Sequence, residues 1–139
     1  MYIAGSEIVS ISAETLDDPH GLLNTCTINL KFLNGSIASI VYSSNGNNDL
    51  AKEYIEVYSG GKIGVVNDFL SVELIGSNKK KINYKRQDKG HKSCLSSFIR
   101  SVKRGKNSPI PFDQIYLSSL ATILTYKSIK ENRKIDLRS

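Results

Sequence analysis

Tryptophan is absent from this chain of 139 residues, methionine occurs once, proline three times, and cysteine and histidine twice each. These shortages exclude whole classes of chemistry. Cys26 and Cys94 lie far apart, with no CxxC pair and no histidine cluster, so neither a zinc-ligand pattern nor a disulfide framework can be drawn. Two reduced, packed thiols in a soluble cytoplasmic protein are expected. No stretch reaches the roughly 18 apolar residues of a membrane span, and residues 1–16 lack the basic start of a signal peptide. No membrane partner is expected.

Catalytic signatures are missing too. GxGxxG, GxxxxGKS or GxxxxGKT, and GxSxG do not occur, so no dinucleotide fingerprint, P-loop or nucleophile elbow can be placed. Gly60, Gly61 and Gly64 read as hairpin punctuation. Asp17, Asp18 and His20 around Pro19 and Gly21 could be drawn as a metal corner, but a polar turn explains them more simply. The sequence therefore assigns no catalytic, cofactor-binding or metal-ligating residue.

What is present is a basic chain with formal charge +6. Much of the excess sits in Lys79 to Lys81, Lys85, Arg86, Lys89, Lys92, and the run Arg100, Lys103, Arg104, Lys106. A solvated rim and helix surface is the plain interpretation. The length fits one domain with one core, so a single domain over 1–139 is expected.

From Glu7 to about Gln87 the apolar residues recur at period two between turn signals, which predicts a meander of antiparallel strands. Cys26, Ile28, Leu30 and Phe32 share one face, and Asn34-Gly35 turns the chain into a strand from Ser36 to Ser44. Apolar residues on both faces of that strand predict that both are covered. Further strands follow at Glu53 to Tyr58, Lys62 to Val66, Phe69 to Ile75 and Lys80 to Arg86. After Asp88 the period becomes 3.6: Cys94, Leu95, Phe98, Ile99 and Val102 form a helical stripe that Gly105 closes. Pro109 and Pro111 force an extended link into a second helix from Phe112 or Asp113 to about Asn132, uncharged between Gln114 and Tyr126. Strands first and helices after them predict an α+β domain, an open-faced antiparallel sheet with both helices packed on one face.

Two residue groups stand out as candidates. Tyr54, Glu56 and Tyr58 share one side of their strand and suit the face of a homo-oligomer. Arg86, Lys89 and His91 lie where the last strand meets the first helix, where cations and free N–H groups can meet an anion. In the alternative, Asp88 caps the helix and the cations face water.

With these elements in order, the chain resembles the C-terminal domain of the glucose-fructose oxidoreductase and inositol dehydrogenase family. Asn34 to Ser44, Glu53 to Phe69, Arg86 to Phe112 and the closing helix into Leu137 carry the resemblance. It comes nearest the branch attached to zinc-alcohol-dehydrogenase-like units in larger bacterial oxidoreductases. The resemblance implies a parent enzyme that transfers hydride between NAD or NADP and a sugar or cyclitol. It also implies that the catalytic residues lie in a Rossmann domain and a helix ahead of this chain. Met1-Tyr2-Ile3-Ala4-Gly5 would then be the last turn of that helix, and the fragment alone would be inactive and bind no cofactor. Arg86, Lys89 and His91 become substrate-side candidates, and Tyr54, Glu56 and Tyr58 the oligomer face. The uncharged second helix would face the missing Rossmann domain.

Two other classes compete. A small basic module for nucleic acid or another polyanion would use Lys79 to Lys92 and Arg100 to Lys106, but no stacking cluster of aromatics accompanies those cations, so nucleic acid is not the expected partner. A complete stand-alone scaffold is the third.

Overall fold

The computed structural model describes residues 1–137, among which two antiparallel sheets and two helices form. The α+β class is as the sequence predicts. The single continuous sheet is not found: the backbone groups into two compact units, Met1–Asn45 with Ile110–Ser139, and Gly46–Pro109.

The first unit contains β1 (Ile8–Thr15), β2 (Thr25–Phe32), β3 (Ile37–Ser43), α2 (Phe112–Glu131) and β8 (Ile135–Asp136), with sheet order β3-β2-β1-β8. Period-two alternation sends Ile11 and Ala13 of β1 to the same side as Leu30 and Ile28, their partners on β2. α2 lies against β1 and β8 on that side. Ile8, Ile11, Phe32 and Ala121 form the buried cluster, with Leu124 and Leu137 packed around it. Burying a side chain such as Ile11 stabilises by about 1.5–3 kcal/mol. Met1 to Gly5 form one helical turn, the Gly5 N–H donating to the Met1 carbonyl at 2.9 Å, and Gly5 is left-handed at φ 58°. Such a turn closed by glycine is a helix C-terminus in miniature.

Ser128 ties α2 to β1 and to the segment that follows α2. Its buried hydroxyl accepts from the Ala13 N–H at 3.0 Å and donates to the Arg133 carbonyl at 2.7 Å. β8 is only two residues long and ends before reaching Ala13, so the serine supplies the acceptor that a strand would otherwise have given. The prediction that both faces of β3 are covered is corrected here. Ile37 is 78% and Val41 76% exposed, because β3 is the edge strand and α2 covers the other end of the sheet.

The second unit contains β4 (Tyr54–Ser59), β5 (Lys62–Asn67), β6 (Ser71–Ile75), β7 (Lys80–Asn83) and α1 (His91–Lys103), with sheet order β4-β5-β6-β7. Gly60 and Gly61, both at positive φ, turn β4 into β5. Asp68 and Phe69 turn β5 into β6, also at positive φ, a conformation that phenylalanine adopts only where its surroundings impose it. The Gln87 amide donates to the Asp68 carbonyl and carboxylate at 3.0 and 2.8 Å, and the Asp88 N–H reaches the Phe69 carbonyl. No described residue of this unit is buried, and the apolar stripe of α1 is exposed. Only α2 packs on a sheet face as the sequence predicts for both helices.

Candidate functional site

β4 is an edge strand, and its alternation brings Tyr54, Glu56 and Tyr58 to one face. The Tyr54 hydroxyl donates to Glu56 Oε1 at 2.6 Å and the Tyr58 hydroxyl to Oε2 at 2.9 Å. One carboxylate thus holds two phenols, and both rings lie open to solvent at 63% and 67% exposure. The Tyr54 hydrogen bond, with that of Tyr58, holds the Glu56 carboxyl below its usual range. The same carboxylate pushes both phenols upward, because each hydrogen bond favours charged carboxylate and neutral phenol together. The register adds Asn67, Val65 and Ile63 of β5 and Glu73 of β6 to this face. Glu73 is held by Lys79 at 2.7 Å, which lowers its pKa. The face is aromatic and has its carboxylates already engaged. It offers contact area rather than a nucleophile.

The segment Arg86 to His91 lies against the 68–69 turn. Lys89 Nζ pairs with Glu53 Oε1 at 3.1 Å and stands 5.9 Å from the centre of the Phe69 ring. Asp88 Oδ1 accepts from the N–H of Gly90, whose left-handed backbone precedes α1. The first turn of α1 receives no side-chain cap. Arg86 begins the segment and His91 opens that helix, with no hydrogen bond or ion pair joining either to Lys89 among the described residues. Pairings such as Glu53 with Lys89 and Asp68 with Gln87 bridge long stretches of chain, and no local pattern announces them. Asp18 caps a turn, accepting from the N–H groups of His20 and Leu22 at 2.9 Å, and no cluster suited to a metal occurs among the described residues.

No parallel strand turning through glycines into a helix occurs among the described residues. A pyrophosphate is held where a parallel strand turns through glycines into a helix. Both sheets here are antiparallel, α1 follows an irregular segment, and α2 follows Pro111.

No family model and no curated protein matches the sequence. Solved structures do. An aldose-aldose oxidoreductase from Caulobacter crescentus, complexed with glycerol, superposes with TM-score 0.78 at 16% identity over 98% of this chain and 43% of its own. UDP-N-acetylglucosamine 3-dehydrogenase from Acidithiobacillus ferrooxidans gives 0.77 at 11% identity over 91% and 42%. A levoglucosan dehydrogenase in complex with NADH and levoglucosan gives 0.76 at 12% over 96% and 46%. The chain spans less than half the length of each, and what it shares with these sugar oxidoreductases is the fold of that portion.

Proposed function

We propose that the chain is the substrate-side and oligomerisation domain of an NAD- or NADP-dependent oxidoreductase acting on a sugar or cyclitol, in the glucose-fructose oxidoreductase and inositol dehydrogenase family. The observation that carries the proposal is the fold likeness over nearly the whole chain to oxidoreductases whose names specify sugars, one of them holding NADH. NAD is the favoured cofactor on that ground. The parent enzyme takes hydride chemistry from the nicotinamide, bound by residues outside this chain, and the chain by itself is inactive. Its own residues shape the substrate side, where Arg86 and Lys89 offer positive charge and His91 an imidazole to sugar hydroxyls or a phosphate. The Tyr54, Glu56 and Tyr58 face contributes to a homo-oligomer. Two exposed phenols with their hydroxyls already satisfied can be covered at little cost, which supports that role.

The test is to read the coding sequence directly upstream of the Met1 codon, in frame. A helix carrying a histidine and an aspartate, preceded by a strand, a GxGxxG turn and a helix, is the expected result. An in-frame stop codon with a ribosome-binding site would overturn the proposal.

A further inference from the structure

Asn-Gly occurs twice in the sequence, at Asn34-Gly35 and at Asn45-Gly46. The pair is chemically labile, because glycine brings its main-chain nitrogen up to the asparagine side chain with no Cβ in the way. Both pairs lie open to solvent, so exposure does not separate them. Hydrogen bonding does.

Asn34 is held on every side. Its Nδ2 donates to the Ala4 carbonyl at 2.9 Å, its Oδ1 accepts from the Ser36 N–H at 3.1 Å, and its own N–H donates to Ser6 Oγ at 3.1 Å. The Gly35 N–H, on the nitrogen that would have to attack, donates to the Phe32 carbonyl at 3.0 Å. Reaction there requires the turn between β2 and β3 to open first.

Asn45 is held far less. It lies between β3 and β4, where residues 44–52 are all exposed. The Gly46 N–H has no acceptor among the described residues, and a Cβ built on Gly46 would meet nothing within 4 Å. Ser43 Oγ donates to Asn45 Oδ1 at 2.6 Å. Negative charge develops on that oxygen when a nucleophile adds to Cγ, and a donor already in place favours the addition.

We infer that Asn45 is a site of spontaneous deamidation in the folded chain, assisted by the Ser43 hydroxyl, and that the fold protects Asn34 from the same reaction. The Gly46 nitrogen gives its proton to hydroxide and bonds to Asn45 Cγ. The Cγ–Nδ2 bond then breaks, ammonia leaves with a proton taken from water, and a succinimide ring remains. Water opens the ring, giving aspartate by addition at Cγ or isoaspartate by addition at the main-chain carbonyl carbon. Nothing is oxidised or reduced. Either product adds a carboxylate, and isoaspartate also lengthens the main chain by a methylene, at the point where the chain passes from the first unit into the second. The altered fraction grows with the age of the chain and faster at higher pH. The inference does not depend on the oxidoreductase proposal.

The test incubates the whole 139-residue chain in warm, mildly alkaline buffer and maps its peptides by mass spectrometry. Isoaspartate is counted by methyl transfer from labelled S-adenosylmethionine, using an isoaspartyl methyltransferase as the probe. In the folded chain the Asn45 peptide should convert at least about tenfold faster than the Asn34 peptide, the worth of the hydrogen bonds that the Asn34 turn must break. In urea the two rates should come together. Gly46→Ala puts a methyl group into open space and should leave Asn45 largely unconverted over the same period. Ser43→Ala should slow conversion by about two- to tenfold, the worth of one neutral hydrogen bond. Equal rates at Asn34 and Asn45 in the folded chain would overturn the inference, as would an Asn45 that converts only in urea. The native rate in Ser43→Ala would take the assisting role from that hydroxyl. The comparison of folded chain with urea needs no variant, and it decides alone if a variant does not fold.

Discussion

The two units have similar strands and unlike interiors. Each carries a four-stranded antiparallel sheet and one helix, yet all the buried apolar side chains among the described residues belong to the first. There α2 covers β1, and Ile11 disappears from solvent. In the second unit the ladders of β4 to β7 are complete, but Ile55, Val57, Val66 and Val72 stay at least partly exposed. Hydrogen-bonded ladders set the shape of a sheet, and burial decides its stability, because a ladder mostly exchanges bonds with water for bonds with protein.

The largest test of that contrast is Ile11→Ala, which should cost about 2–5 kcal/mol in urea unfolding. Val66→Ala in the second unit should cost only about 1 kcal/mol or less. Equal losses would erase the distinction. Next comes Ser128→Ala, which removes the acceptor of the Ala13 N–H and the donor to the Arg133 carbonyl. It is expected to destabilise by about 1–3 kcal/mol, with the Ala13 amide exchanging faster in hydrogen-exchange measurements. An unchanged Ala13 amide would deny the serine its role.

Smaller effects belong to the exposed phenol and carboxylate face. The folded pKa of Glu56 lies below its ordinary 4.5, so its contribution is present above that pH and fades as pH falls through the lowered value. The phenols of Tyr54 and Tyr58 are raised above 10.0, so theirs holds below pH 10 and is lost as pH rises through the raised values. Glu56→Gln should bring both tyrosines back toward their ordinary titration, read as the ultraviolet absorbance of tyrosinate. Unmoved tyrosines would show that the carboxylate does not hold them.

Local periodicity made most elements legible. Alternation from Thr25 to Phe32, the Asn34-Gly35 and Gly60-Gly61 turns, and the closures of the helices at Gly105 and Asn132 were all visible in residue types. β8 was not, since Ile135 and Asp136 are too few to show a period and pair only through β1. Period two says which residues share a face but not where one sheet stops, so the strands between Glu7 and Gln87 read as one sheet. It placed Tyr54, Glu56 and Tyr58 together for the same reason. That both phenols turn inward onto Glu56 is a matter of side-chain rotamers, and alternation carries no information about those. Ser128 looked like an ordinary helical serine because its partners, Ala13 and Arg133, come from the fold.

Amide hydrogen exchange of the whole chain, residue by residue, tests the central contrast most directly. Amides of β1 and of the sheet-facing side of α2 should be the best protected, and those of β5 and β6 should exchange much faster although each of these strands has a neighbour on both sides. Protection of Val65 and Val66 equal to that of Ile11 would contradict the account.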